Sequence, residues 1–533
     1  HKEYRRQRQM CIRDSRRGAL LAQWRKRLSR GPAVCLPWPT DRSLPVHPLT
    51  NPLLLPFGHL LFILFSLLVY AVTTHLTHQR RHPSAAFAWV LLLTLVPYAG
   101  LPLYLLVGLR KYARPLPRHR STLPELPLPS DAHWAVSTLD GLGLPPPQAN
   151  SHVVLHRDGT HALRELDQTI QSAHHTLDIC TYVVGNDAVA HHVAQQLKAA
   201  RARGVRIRLL IDAAGSWRTS RLFLRQLRAD GIKIRLFMPL LHNPMRGRIN
   251  LRNHRKLVVA DGQRVWTGGR NLAQEYFLPH AGHAPWTDLT LTVQGPLAHD
   301  AQQLFNACWR RHRGHSTRHP AAPIVRRPTG MPPALVRACT QKPEPGDDAA
   351  AVSLRHVAQL VPSGPDLADD TVHSLLLTGL YQARTSVWAV TPYFVPDDSL
   401  LAALRLAATR GVDVNLILPR RSNHRIADIV REQPLRDFAA AGGKVHLAHC
   451  MVHAKAVVID DSLALAGSLN LDARSLFLNF ELMVAFYSAD DIARVQGWMT
   501  DLAGRCEPYA LPEKTSLVRD IGQGLVRWLG FQI

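Results

Sequence analysis

The sequence predicts an α/β protein: two pseudo-two-fold-related α/β domains, mixed sheets flanked by helices, preceded by a two-helix transmembrane hairpin. Three observations predict it. Two long runs free of Asp, Glu, Lys and Arg stand in the first quarter of the chain. After them, helix and strand signals alternate, which argues for layered α/β architecture. That pattern recurs about 200 residues later with the same short polar motif, and internal repetition outweighs any single element.

The tail comes first. The chain has 533 residues, with 64 Lys+Arg against 39 Asp+Glu, a formal charge of +25. Residues 1–51 read as a basic tail. Within it, Met10-Cys11-Ile12-Arg13-Asp14-Ser15 resembles one reading frame of a sequencing adapter, so residues 1–15 are expected to be an artefact. Without their five cations and two acids the charge is still +22. Such a balance calls for an anionic partner, a membrane or nucleic acid. The seven cysteines are scattered and form no C-x-x-C, so reduced thiols are expected, and neither a disulfide framework nor structural zinc. The pairs His174-His175 and His191-His192 read as solvated helix faces.

Residues 52–112 are expected to form the hairpin. Leu53–Val72 and Ala85–Leu109 are each long enough for a hydrocarbon core of about 30 Å. Pro97, Gly100 and Pro102 predict a kink in the second, and Trp89, Tyr98 and Tyr104 are candidate interfacial anchors. The loop between the runs carries Arg80 and Arg81, whereas Arg110, Lys111, Arg114, Arg118 and Arg120 follow the second. The heavier basic cluster predicts that both ends, and everything after Arg110, are cytoplasmic.

Residues 113–150 are Pro-rich and read as a linker. The first domain is placed at 151–315. Its predicted elements are a helix at Ala162–His174, a strand at Leu177–Val184, and a helix at Ala188–Arg203 stopped by Gly204. There follow a strand at Val205–Ile211, a helix at Leu222–Ala229 stopped by Gly231, and a strand at Ile232–Phe237. A second linker, 316–350, leads to the second domain, 351–510. There Thr409-Arg410-Gly411-Val412 repeats Ala202-Arg203-Gly204-Val205, and Gly442-Gly443 repeats Gly231. Residues 511–533 alternate apolar residues with Arg and Gly, as an amphipathic segment would.

The repeated motif carries the chemistry. His254-x-Lys256-x4-Asp261 is followed by Gly268-Gly269-x-Asn271, and His453-x-Lys455-x4-Asp460 by Gly467-Ser468-x-Asn470; His-to-Asn spacing is seventeen in both. In an extended chain His and the Lys two residues on share a face. Lys supplies positive charge, and Asn271, Asn470 and Ser468 supply polar groups, to bind phosphate. Two facing sets would make one site for phosphodiester chemistry: one imidazole attacks phosphorus, the other protonates the leaving alkoxide. The candidate catalytic set is therefore His254, Lys256, Asp261, His453, Lys455 and Asp460, with the two aspartates better suited to fixing the strand-to-turn geometry. Asp288, 34 residues after His254, and Glu481, 28 after His453, are each expected to orient the histidine of their own copy through Nδ1. No metal or other cofactor is called for.

These residues resemble the phospholipase D superfamily, and the chain from about 52 to 510 is similar to its bacterial membrane-anchored cardiolipin synthases. The marks are Ala86-Phe87-Ala88-Trp89 through Pro97-Tyr98-Ala99-Gly100 to Tyr104, Gly295-Pro296, Thr391 to Asp397, and Asn470-Leu471-Asp472-Ala473-Arg474-Ser475 with Asn479 and Glu481. The resemblance implies one active site between two domains. It implies transfer of a phosphatidyl group from one phosphatidylglycerol to another, through a phosphohistidine, with glycerol released. Family usage makes His254 the nucleophile and His453 the general acid, then base; the motifs alone allow either order. It implies an inner-membrane, multi-pass enzyme facing anionic phospholipid, with no nucleic acid partner. The alternatives are a phospholipase D or other phosphatidyltransferase and, against two apolar runs ahead of the catalytic body, a nuclease. Tyr393 or Phe394 is a candidate for the lipid entrance, against a purely structural strand-end turn.

Overall fold

A computed structural model describes residues 54–76, 83–111, 132–239, 250–311 and 356–511. The expected basic tail, the linker 316–350 and the C-terminal amphipathic segment lie outside these residues.

The first apolar run forms one helix, Leu54–Leu76, of which Pro56–His75 is long and apolar enough to cross a membrane. The second run differs from the single expected span. It forms two shorter helices, Pro83–Leu95 and Pro97–Val107, broken at Val96. Pro97 has no N–H to continue the first ladder, and it disfavours helical geometry in the residue before it. A narrow aromatic seam joins the runs. Trp89 and Tyr104 are buried there, Tyr70 and Trp89 set their rings edge-on to Tyr104, and Thr73 Oγ1 meets the Tyr104 hydroxyl at 2.6 Å. Trp89 and Tyr104 are thus packing residues rather than interfacial anchors, whereas Tyr98 is exposed and stacks on Phe62. Leu64, Phe65, Leu68, Phe87 and Leu95 are exposed. So large an apolar surface is what lipid contact requires.

The end of this region docks on the body. Lys111 Nζ pairs with Asp370 at 2.7 Å and donates to the Gly364 carbonyl at 3.2 Å. Arg110 lies over the Phe477 ring at 4.5 Å, and Asn250 Nδ2 donates to the Val107 carbonyl at 2.8 Å.

The end of the expected linker is folded. His133–Gly141 is a helix, and β1 (Gln148–Asn150) is an edge strand of the second half's sheet. Ala135, Val136 and Leu139 are buried in that half's outer core, so an apolar helical stripe outweighs the surrounding prolines.

In the first half the strands are β2 (His152–His156), β3 (Thr176–Thr181), β4 (Arg206–Asp212), β5 (Lys233–Phe237), β6 (Leu257–Ala260), β7 (Arg264–Gly268) and β8 (Thr290–Gln294). They form a sheet in the order β2-β8-β7-β6-β3-β4-β5, with β3, β4 and β5 parallel and the other pairs antiparallel. The second half has β9 (His356–Ser363), β10 (Ser386–Val390), β11 (Phe394–Val395), β12 (Asp413–Pro419), β13 (Lys444–Ala448), β14 (Ala456–Ile459), β15 (Leu463–Gly467), β16 (Leu471–Asp472), β17 (Glu481–Phe486) and β18 (Glu507–Pro508). Its large sheet runs β1-β9-β17-β15-β14-β10-β12-β13-β18, while β11 and β16 pair separately. Without its edge strands β1 and β18, this order repeats the first sheet strand for strand.

Two first-half helices fall close to the predicted ranges, at Ala188–Ala202 and Arg221–Ala229, and the helix Asp398–Thr409 ends at the repeated Thr409-Arg410-Gly411 of the second half. The glycine stops are matched: Gly204 and Gly411 have φ of 92° and 91°, Gly231 and Gly442 84° and 97°. That left-handed geometry is cheap only for glycine. Strands β6 and β14 are buried at every position, as expected where both faces are covered. One face of each packs into a core shared by the halves, built on the helices Pro296–Arg311 and Ala489–Ala503. This shared core fixes the two motifs relative to one another.

Candidate active site

Each motif begins in an extended segment just before a strand, and each segment leaves its own half to pair with the other. His254 N donates to the Phe480 carbonyl at 2.9 Å, and Phe480 N donates to Arg252 O at 2.8 Å. His453 N donates to Thr287 O at 2.7 Å, and Thr287 N to Met451 O at 2.9 Å. These are short parallel bridges, Asn253 with Phe480 and Thr287 with Val452. The catalytic candidates therefore sit on two backbone seams between the halves.

The seams overturn the expected pairing of histidines with carboxylates. His254 Nδ1 meets Glu481 Oε1 and Oε2 at 2.9 and 3.0 Å. His453 Nδ1 meets Asp288 Oδ2 at 2.7 Å. Each histidine is held by the carboxylate of the other copy. The cause is the register: the residue before Glu481 is paired in parallel with the residue before His254, so both side chains emerge side by side across the seam. Sequence distance within a copy carries no trace of this.

The carboxylates are themselves supported differently. Ser468 Oγ donates to Glu481 Oε2 at 2.5 Å, and Asn479 Nδ2 to Oε1 at 3.3 Å. Ser468 is thus a carboxylate partner here rather than an open phosphate donor. Its counterpart, Gly269, must lack a side chain, since a Cβ there would lie 2.1 Å from Asp288 Oδ1. Asp288 instead accepts from the Leu289 N–H at 2.7 Å.

Both lysines are buried. Lys256 Nζ donates to its own histidine's carbonyl, His254 O, at 2.6 Å. Lys455 Nζ makes the same contact with His453 O and also lies 2.8 Å from His453 Nδ1 and 3.0 Å from Nε2. Burial, with the charge of Lys455, lowers Lys256 to about 7, and burial lowers Lys455 to about 8, despite the carboxylates. Burial and Lys256 bring His254 down to about 4 against the pull of Glu481. Burial and Lys455 bring His453 to about 3. Burial favours a neutral Asp288, but His453, Lys455 and Arg270 outweigh it and hold the carboxyl at about 2. Near pH 7 both imidazoles are neutral and Asp288 is charged.

The asparagines part company. Asn271 is occupied: Nδ2 donates to the Tyr276 hydroxyl at 2.8 Å and Oδ1 accepts from the Val183 N–H at 3.2 Å. Asn470 Oδ1 is buried without a partner among the described residues. Asp261 and Asp460 stand at the far ends of β6 and β14 from the histidines. With φ of 51° and 46°, they close the turns. Asp261 accepts the N–H groups of His174, His175 and Thr176 at 2.7, 2.9 and 2.6 Å. Asp460 accepts those of Arg384, Thr385 and Ser386 at 2.9, 2.9 and 2.8 Å. They are clamps on the strand ends.

Several site residues were not read from the sequence. Tyr182 lies edge-on to His254 with ring centroids 5.1 Å apart; Tyr276 and Trp286 flank His453 at 5.0 and 5.5 Å. Arg255, between His254 and Lys256, is buried on the opposite face and donates to Glu481 O at 2.9 Å and Ser363 O at 3.0 Å. The alternation that aligned His with Lys also predicts a buried opposite face, so an arginine there was a readable signal. Of the two entrance candidates, Phe394 belongs to the core, while Tyr393 is half-buried and donates to Asn423 Oδ1 at 2.6 Å. Among the described residues no group of three or more His, Cys, Asp or Glu could hold a metal ion.

Comparison with known proteins points one way. The family described as "Cardiolipin synthase, PLD-like domain" matches residues 166–309 and 376–502, and "Phospholipase_D-nuclease N-terminal" matches 62–108. The chain is 31% identical over 470 residues to cardiolipin synthase A of Shigella boydii, covering 83% of this chain and 90% of that one. It is 28% identical over 450 residues to the cardiolipin synthase of Geobacillus kaustophilus, covering 81% and 85%. Among solved structures, the phosphatidylserine synthase of Haemophilus influenzae has the same fold, with a TM-score of 0.54 at 14% identity over 76% of this chain and 99% of that one.

Proposed function

The chain belongs to the cardiolipin synthases of the phospholipase D superfamily, and from that membership we propose how its crossed site works. The enzyme is a phosphatidyltransferase whose donor and acceptor are both phosphatidylglycerol. The observation that carries this reading is the pair of buried histidines, each held through Nδ1 by a carboxylate of the other half, beside two buried lysines.

With Nδ1 bound to a carboxylate, each imidazole turns Nε2 toward substrate. Neutral His254 attacks phosphorus through Nε2. The bond from phosphorus to the glycerol oxygen breaks, and that oxygen takes the proton from His453 Nε2. Glycerol leaves, and a phosphatidyl group remains on His254. The glycerol hydroxyl of a second phosphatidylglycerol then gives its proton to His453 and attacks phosphorus, breaking the P–N bond. The product is cardiolipin, and both histidines return to their starting state.

His453 must hold a proton for the first step, although burial and Lys455 oppose it. A bound phosphate anion offsets that ammonium and raises the imidazole. Lys256, Lys455 and the Asn470 amide face the charge that grows on the non-bridging oxygens.

The apolar helices anchor the enzyme in a membrane. We place it as a multi-pass protein of the bacterial inner membrane with its catalytic halves in the cytoplasm. The support is the denser basic cluster after Leu109.

The test is purified enzyme in detergent or liposomes with labelled phosphatidylglycerol as the sole lipid. Cardiolipin and free glycerol in equal amounts are expected. Phosphatidic acid without cardiolipin would mean that water resolves the intermediate, and DNA cleavage without lipid turnover would mean a nuclease.

A further inference from the structure

The first half holds a second basic site, away from the histidines. A cleft of ≈ 460 Å³ opens where the starts of the parallel strands β3, β4 and β5 meet the helix Pro296–Arg311. Its rim includes Asp261, the far end of β6 from His254. Seven extended residues separate the two, roughly 20 Å at about 3.3 Å per residue. Four cations line it: Arg206 and Arg208 from β4, Lys233 and Arg235 from β5. Parallel pairing puts Arg208 beside Lys233, and strand alternation puts all four on one face.

The charges are not all spent within the protein. Arg208 is committed to Asp178, with two contacts of 2.6 Å, and Asp261 to its three backbone N–H groups. Arg235 is fixed by Trp309, whose ring lies 4.1 Å from the guanidinium carbon and whose carbonyl accepts at 2.5 Å. Arg206 and Lys233 make no side-chain hydrogen bond or ion pair among the described residues. On the opposite wall Gln302 donates to Asp178 at 2.5 Å, which leaves its Oε1 a buried acceptor without a partner among the described residues.

The fold does not require this arrangement. At the matching register positions of the second half stand Asp413, Asn415, Lys444 and His446. There Lys444 pairs with Asp413 at 2.7 Å, His446 with Asn415 at 2.9 Å, and Trp388 stacks on His446. The same surface pairs its charges internally in one half and keeps exposed cations in the other.

We infer that the cleft is a binding site for a phosphate ester, its phosphate held by Arg206 and Lys233. That chemistry is common to a glycerophospholipid headgroup and a soluble glycerophosphate. The site is independent of turnover at the histidines.

Its test uses the full chain in detergent carrying His254→Ala, so that nothing is consumed. Radiolabelled glycerol 3-phosphate is titrated by equilibrium dialysis at low salt. The chain with Arg206 and Lys233 intact should take up one more equivalent than the chain that also carries Arg206→Ala and Lys233→Ala. Lys444→Ala, at the matching position of the second half, should leave the uptake unchanged. Equal uptake with and without Arg206 and Lys233 overturns the proposal. Vesicles of phosphatidylglycerol then separate the sources: displacement of the bound label assigns the cleft to a lipid headgroup, and its retention assigns it to a soluble ester.

Discussion

The two halves share a strand order, a motif and a spacing, yet they treat their histidines differently. His254 has a longer carboxylate, Glu481, braced by Ser468 and Asn479, and its lysine donates to the main chain and lies over the Tyr182 ring rather than against the imidazole. His453 has a shorter one, Asp288, and its lysine lies against the ring. Aromatic cover differs as well, one tyrosine over the first and a tyrosine with a tryptophan over the second. Pseudo-symmetry thus supplies two copies of the parts, and side chains within and around the motif differentiate them. An ammonium against the imidazole disfavours its protonated form, so His453 releases a proton readily once charged, as a general acid must. His254 lacks that contact and has the better-braced carboxylate, which suits a nucleophile that carries positive charge in the intermediate.

The largest effect should come from the histidines themselves. His254→Ala and His453→Ala should each lower cardiolipin formation by roughly 10⁴-fold, the scale for losing one member of a catalytic unit. Rapid quench with labelled donor sharpens the comparison: His453→Ala should trap a small amount of phosphoenzyme and His254→Ala none. Near-normal turnover in either variant would break the paired mechanism, and trapping in the opposite variant would reverse the roles.

The crossed carboxylates come next. Glu481→Gln and Asp288→Asn should each cost about 10² in kcat, as second partners of functional histidines do. The diagnostic readout is nitrogen NMR of the imidazoles. Glu481→Gln should move the His254 resonances and leave His453 in place, and Asp288→Asn the reverse. Same-copy responses would sink the crossed arrangement.

The lysines predict opposite responses to pH. Folded Lys256 and Lys455 titrate at about 7 and 8, below the ordinary 10.5. Between these values the unfolded chain binds more protons than the folded one, so stability rises with pH from about 7 to 10.5. The histidines act in the same sense at lower pH. Their folded values, about 4 and 3, lie below the ordinary 6.5, so stability falls as pH drops from 6.5 toward 4. Turnover instead loses its phosphate-binding cations above pH 8. A kcat/KM that falls several-fold between pH 7 and 9 while the melting temperature rises would agree. Parallel trends would mean that the lysines keep ordinary values.

Much of this was legible in the sequence. Gly204, Gly231, Gly411 and Gly442 marked the helix ends because each needs a left-handed backbone, a local demand. The duplicated His, Lys and Asn positions were legible because local spacing fixes them. The exchange of Asp288 and Glu481 was not, because it depends on pairing between segments about 200 residues apart. Nor was the role of Asn271, whose amide is taken up by Tyr276, a residue outside the motif. The helix at 133–141 was hidden by flanking prolines, although Ala135, Val136 and Leu139 already made a helical stripe.

The smallest effect on chemistry belongs to Asp261 and Asp460, motif members that touch neither His254 nor His453. Each carboxylate accepts three backbone N–H groups and sits at positive φ. Alanine removes these bonds and is poorly tolerated at that φ, together roughly 3 kcal/mol, so the melting temperature should fall by several degrees. Asparagine tolerates the left-handed region and keeps one acceptor, so Asp→Asn should cost about half as much. Asp460 also accepts the Thr385 hydroxyl at 2.7 Å, whereas Thr176 Oγ1 lies 3.5 Å from Asp261. Asp460→Ala should therefore be the more damaging. In both cases kcat measured below the new melting temperature should stay within about threefold of the parent, because each aspartate acts only through the end of its strand. A loss of 10² or more at unchanged melting temperature would place these aspartates in the reaction itself, and the two halves would then differ in less than their histidines suggest.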